Sequence, residues 1–290
     1  MKNDLQDIKS DEQSLLNTQY SGINWVGMSK IQSFIEDDGR HIPVELDLYV
    51  NLLPGHRGIH MSRLYQMQMD FILGRKISSQ ALKGFLLNSI ISQDGISNQA
   101  RLKIVYSHLR MTKSLKSGSD GFRNYPLAIQ AEAHKDGSFK MRLQFILTYS
   151  STCPQSSKLA KEYFKNQQLT GSDLEAWYRS DQIFPATPHA QRSHMTVEVV
   201  LNADSDLNIS QWIEQIEKCL QTPVQTAVKK ADEMEFARLN GENPLFCEDA
   251  VRKVAQLLDS NLSFTGYQIS ADHLESLHPH NASSQISKNF

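Results

Sequence analysis

The sequence predicts an antiparallel α+β fold, on three observations. Apolar and polar residues alternate in six separate runs, helical spacing comes in pairs between those runs, and Asp136-Gly137 marks a two-residue hairpin. Runs of strands broken by paired helices favour this architecture over a doubly wound parallel sheet.

Taken in order, Val44, Leu46, Leu48 and Val50 give the first half-buried strand, which Pro54-Gly55 ends. Leu64, Met67, Gln68 and Phe71 then recur at helical spacing, and Ser78 caps a second helix carrying Leu82, Phe85, Leu86 and Ile90. Leu102 to Tyr106 and Leu127 to Ala133 are the next strands. Beyond the hairpin, Phe139, Met141, Leu143, Phe145 and Leu147 alternate with Lys140, Arg142 and Gln144, the clearest strand of the chain. A polar, helical excursion over 156–179 precedes a strand at Met195 to Leu201. Helices follow at Ile209 to Leu220 and near Glu248 to Ser260, and a last strand runs from Ser263 to about Ala271. Two strands, two helices and a strand are thus stated before about residue 150 and again after it, with hairpin arms shared between. This makes one domain over 19–280, with halves of about 19–137 and 138–280. Residues 1–18 and 281–290 lack apolar period and read as a disordered arm and a flexible tail.

Of the 290 residues, 40% are hydrophobic and 21% charged, enough to bury a full core. The formal net charge of -2 gives no basic excess for capturing nucleic acid. Acids interrupt the N-terminal apolar residues, and no stretch approaches the roughly 20 apolar residues of a membrane span, so a cytoplasmic protein without membrane contact is expected. Three scattered cysteines, Cys153, Cys219 and Cys247, build no disulfide framework.

Chemically capable residues concentrate in five places. Gly58 to Arg63, at a strand-to-helix junction, sets His60, Ser62 and Arg63 beside free backbone N–H groups and reads as a phosphate cradle or as a capped helix with a surface arginine. Cys153 at a strand end and His189 at the mouth of the next strand are zinc-type donors. Their separation of 36 residues matches no compact finger, and on spacing alone a buried structural cysteine is the plainer reading. Glu248 and Asp249 open a helix, as the helix dipole favours, yet an ionised glutamate there also suits the two N–H donors of a guanine. Lys229 to Glu233 precedes them. Last, the run from His273 to His280 holds three histidines and a carboxylate, a candidate for anion, metal or proton-transfer chemistry.

The segments Gly58-Ile59-His60-Met61-Ser62-Arg63, Leu147-Thr148-Tyr149-Ser150-Ser151-Thr152-Cys153-Pro154 and Ala186-Thr187-Pro188-His189-Ala190-Gln191-Arg192-Ser193 resemble, in order, signature segments of type IB GTP cyclohydrolases. So do Val224 to Glu233, Phe246-Cys247-Glu248-Asp249-Ala250 and Glu275-Ser276-Leu277-His278-Pro279-His280. The resemblance spans about residues 20 to 282. It implies a tunnelling fold of two ββααβ-like halves, a homotetramer with interfacial active sites, and conversion of GTP and water to formate and 7,8-dihydroneopterin triphosphate, the entry to tetrahydrofolate. Carried over position by position, it makes Cys153, His189 and Glu233 ligands of one divalent metal per site (Zn²⁺, or Mn²⁺ or Fe²⁺) and Glu248 the guanine anchor. His60, Ser62, Arg63 and Arg192 become candidates for substrate contacts, and His278 and His280 for catalytic proton transfer.

One departure bears on activity. Where the family reads Cys-Pro-Cys-Ser, this chain reads Cys153-Pro154-Gln155-Ser156. A thiol near a cation gives and takes a proton, and an amide does neither. Gln155 therefore either orients a water in a modified active site or marks a paralogue that binds metal and a purine or pterin with altered or lost catalysis.

Overall fold

The structure, a computed structural model, describes residues 20–181, 186–202 and 205–290. The expected arm at the N-terminus lies outside these. The described residues form one antiparallel sheet of eight strands in sequence order: β1 (Ile23–Asp37), β2 (Arg40–Leu52), β3 (Gln99–Lys113), β4 (Asp120–His134), β5 (Phe139–Thr152), β6 (Ala190–Leu201), β7 (Phe264–His273) and β8 (Ala282–Lys288). Helices α1 (Met61–Phe71) and α2 (Ser79–Ile91) lie between β2 and β3. Helices α3 (Pro154–Lys165) and α4 (Gly171–Arg179) lie between β5 and β6. The β6 to β7 connection carries α5 (Ile209–Leu220), α6 (Lys230–Glu242) and α7 (Cys247–Asp259). The antiparallel α+β class is as predicted.

Alternation decides which face is covered. Leu46, Leu48, Leu102, Ile104, Ile129, Leu143, Phe145, Val197 and Ile269 are all at most 2% exposed. They meet Leu64, Leu82, Phe85 and Leu86 of the first helical pair and Ile213, Ile216, Ala250, Val251 and Val254 of the second in one core. Ser78 caps α2 as expected, its side chain accepting from the backbone N–H of Ala81. Burying these side chains drives the fold, at about 1.5–3 kcal/mol for each large one.

Three elements differ from expectation. Residues 281–290 are not a loose tail: 282–288 form β8, paired along β7 from His273↔Ala282 to Tyr267↔Lys288. Their serines gave no apolar alternation because β8 is an edge strand with largely exposed side chains. Gly266 lets this strand close, since a Cβ there would lie 2.1 Å from the Asn289 carbonyl oxygen. The missed β1 is the other edge, its alternation broken by register shifts between Ile23 and Val26 and between Met28 and Ile31. Each half is thus bounded by four strands, not three. The third miss is α6, where Asp232 alone is buried. Its carboxylate accepts from the backbone N–H groups of Lys229, Lys116 and Ser117 and from the Ser117 hydroxyl, which holds its pKa well below the usual carboxylate range.

Polar networks join the halves. Buried His108 on β3 bridges Asp37 (2.6 Å) and Ser210 of α5 (2.9 Å), and Glu217 of α5 accepts from Tyr125 (2.6 Å) and Arg123 (3.0 Å) of β4.

Candidate functional site

Along β5, β6 and β7 the helix-covered face is apolar until the last turns of alternation, where it becomes polar. Leu147 gives way to Tyr149, Ser151 and Cys153, while on β6 Met195 is preceded by Ser193 and Gln191, with His189 just before the strand. On β7 Ala271 is followed by His273 and then Glu275. Register brings them side by side: Tyr149↔Ser193, Ser151↔Gln191 and Ser193↔His273. Period-two geometry then places every second residue on this same face.

Cys153 and His189 come together at its rim. The Cys153 N–H donates to the His189 carbonyl (3.2 Å), and the His189 N–H donates to Ser156 Oγ (3.1 Å). Cys153 is also the N-cap of α3, its Sγ accepting from the Ser156 N–H at 3.4 Å with Pro154 at the first helical position. A sulfur held at a helix N-terminus sits where negative charge is favoured. His189 Nε2 lies 3.6 Å from Glu275 Oε2, with both side chains mostly buried. Gln155, in the first turn of α3, is exposed beside them.

Deeper in the same cluster the Tyr149 hydroxyl and Nε2 of His273 are hydrogen-bonded at 2.9 Å. Burial lowers the His273 pKa, against the pull of Glu275, Glu248 and Asp272, and burial raises that of Tyr149, each shift favouring the neutral form. Glu248 sits in the first turn of α7, which is tied to this end of the sheet by Leu245 N–H donating to the Thr152 carbonyl and by Ser284 donating to the Cys247 carbonyl. Its own backbone N–H, then the Cys247 thiol at 3.3 Å, hold the Glu248 carboxyl below its ordinary range. His278 and His280, on the β7 to β8 connection, stack with ring centroids 5.1 Å apart and are exposed.

The other expected residues lie elsewhere. His60, Ser62 and Arg63 are at the start of α1, where His60 N–H donates to Gln93 and Arg63 donates to the Ser92 carbonyl (2.7 Å) and to Asp94 (2.5 Å). That is the end of the sheet where β5 begins, and Cys153 follows the end of β5, whose 14 residues span roughly 45 Å. Arg192 points to the opposite face from Gln191 and is exposed. Glu233 is exposed on α6, about 10 Å of helical rise from Asn240, the residue that touches Ser150 and Thr152. Among the described residues no three of His, Cys, Asp and Glu gather closely enough to hold an ion. Cys153, Cys219 and Cys247 are free thiols.

Sequence reading gave no individual role to Gln191, His273, Tyr149 or Glu275. The signal was present as alternation that continues past the apolar residues with polar ones. A separate concavity of about 700 Å³ lies on the helix-free face, among Asp47, Tyr49, Arg101, Lys103 and Arg142. There cross-strand neighbours such as Arg101↔Glu132 and Glu132↔Lys140 compensate one another, as on an ordinary polar sheet face. No helix among the described residues is long and apolar enough to cross a membrane.

Known proteins agree with this architecture. Uricase from Arthrobacter globiformis superposes with a TM-score of 0.50 at 9% identity, covering 91% of this chain and 93% of that one. A uricase from Bacillus fastidious gives 0.51 at 8%, covering 91% and 92%. At such identities the likeness shows the fold alone, a tunnelling fold. In sequence, GTP cyclohydrolase FolE2 of Hydrogenovibrio crunogenus is 37% identical, covering 92% of this chain and 90% of the relative. GTP cyclohydrolase FolE2 of Bdellovibrio bacteriovorus is 35% identical, covering 99% and 97%. Residues 5–284 match the family profile described as type I GTP cyclohydrolase folE2. The chain belongs to the type I GTP cyclohydrolase FolE2 family.

Proposed function

We propose that this protein is a GTP cyclohydrolase that converts GTP and water to formate and 7,8-dihydroneopterin triphosphate, with the reaction centred on Cys153 and His189. The observation that carries this reading is their juxtaposition at the polar rim of β5 to β7, on the end of the sheet that also holds Glu248. Family membership supplies the substrate.

The donor chemistry fits a divalent ion. A sulfur at a helix N-terminus and an imidazole buttressed by Glu275 offer soft and borderline ligands side by side, suited to Zn²⁺ and admitting Mn²⁺ or Fe²⁺. Cys153 and His189 would hold it, with Glu233 as the third donor that the resemblance implies. Since Glu233 is exposed and away from the pair within its own chain, it would come from a second copy, in keeping with a homotetramer that has interfacial sites. When bound, the ion supplies Lewis acidity and a water acidic enough to act as a nucleophile near neutral pH, toward C8 of the base. The resident protein groups do the rest. Glu248, kept ionised, accepts from the guanine. Glu275 fixes the His189 ring. His278 and His280, exposed on one loop, are placed to carry protons to and from solvent. Arg63, His60, Ser62 and Arg192 would meet the triphosphate from neighbouring copies. Gln155 orients a water where the family has a thiol.

Incubating metal-loaded protein with GTP tests this. Formate should appear together with the fluorescence of neopterin after oxidation. Metal and nucleotide binding without formate would favour instead a paralogue whose catalysis went with the cysteine that Gln155 replaces.

A further inference from the structure

Gln191 is 8% exposed, yet its amide is only half satisfied. Nε2 donates to Ser151 Oγ at 3.1 Å, and that hydroxyl is also hydrogen-bonded to Ser193 Oγ at 2.7 Å. Oε1 has no partner among the described residues. Turning the amide over would only exchange which end is left over, because one hydroxyl faces it. A buried polar atom in this condition costs about 1–3 kcal/mol, and an apolar side chain such as those on the same face at Met195 and Leu147 would avoid that cost. Oε1 is thus an acceptor left without a partner among the described residues and closed to solvent, so a ligand that uses it must open the rim of β5 and β6 on binding.

Geometry limits what that partner is. Gln191 lies two residues along β6 from His189 on the same face, about 6–7 Å away, and opposite Ser151, which is two residues from Cys153. In the orientation that the structure gives, the free end of the amide is its oxygen, which repels phosphate oxygens and so does not serve the triphosphate. It needs an N–H donor about the width of a purine from the reacting carbon. The pairing edge of guanine offers three N–H bonds, from N1 and the exocyclic amine, whereas the two oxygens of a carboxylate meet two of them. We propose that Gln191 is a specificity residue whose Oε1 accepts the outer hydrogen of the guanine 2-amino group, completing the set that Glu248 begins. This rests on the GTP cyclohydrolase reading of the site and adds to it a residue that reads the amine.

Inosine triphosphate, which lacks that amine, isolates the contact. Metal-loaded wild type should bind GTP more tightly than ITP. Gln191→Met removes the acceptor while keeping length and apolar volume, and should weaken GTP by roughly 5- to 150-fold, leave ITP nearly unchanged, keep the metal content, and hold or raise the melting temperature. Gln191→Glu retains an acceptor and should keep the preference for GTP. The proposal is overturned if Gln191→Met leaves GTP affinity intact, if it weakens GTP and ITP equally, or if Gln191→Glu loses the preference as well. If wild type fails to bind GTP at all, the functional reading falls and this proposal falls with it, whereas normal turnover in Gln191→Met overturns the proposal alone.

Discussion

The two ends of the sheet carry chemically capable residues in different states. At the Cys153 end the side chains converge, are largely buried, and keep open valences: a sulfur at a helix start, an imidazole on Glu275, a half-satisfied amide. At the His60 end the groups are exposed and already matched, with Arg63 on Asp94 and Ser92 and His60 Nε2 3.9 Å from Asp94. Exposed pairs of this kind are weak, so on the proposed reading a triphosphate would displace Asp94 from Arg63 at small cost. On the proposed reading, one chain holds two incomplete parts of a site, a reacting centre and an anion-holding patch, separated by the length of β5. A second copy would then be needed to join them.

The largest effects are expected at the proposed reacting centre. Cys153→Ala or His189→Ala should abolish metal binding and formate release while leaving the melting temperature nearly unchanged, because the core strands are apolar without them. Metal analysis of the purified variants decides it, and a variant that keeps stoichiometric metal at a single site excludes the assignment. Co-assembling Cys153→Ala with Glu233→Gln, each inactive alone, should restore part of the activity if the two ligands come from different copies. No recovery after verified subunit exchange would place all three on one chain. A smaller effect is expected at Glu248. Glu248→Gln should weaken GTP by roughly 5- to 150-fold and ATP far less, as binding measurements with both nucleotides will show. Equal losses would reduce Glu248 to a helix-start carboxylate.

How much of this was legible beforehand follows from where the information lies. The central strands were readable because each buries one face, so Leu143, Phe145 and Leu147 announce their period. The edges were not. β1 carries bulges and β8 is mostly serine and exposed, so neither needs an apolar repeat, and α6 buries little beyond a carboxylate. At the site, Cys153, His189 and Glu248 stood out by residue type and by resemblance. Gln191, His273 and Tyr149 acquire meaning only from the register that sets β5, β6 and β7 side by side, and a single sequence does not encode that register locally. The distance between the His60 group and Cys153 was equally invisible, since both sit in matching segments.

Formate release by wild type and Gln155→Cys, compared at saturating metal and GTP, tests the proposed reaction most directly. If the site is a GTP cyclohydrolase lacking only its proton-transfer thiol, wild type releases formate slowly. Gln155→Cys should then be faster by about 10² to 10⁴, with GTP affinity little changed and a new pH dependence reporting the thiol. If both proteins bind metal and GTP and neither releases formate, the cyclohydrolase assignment is contradicted.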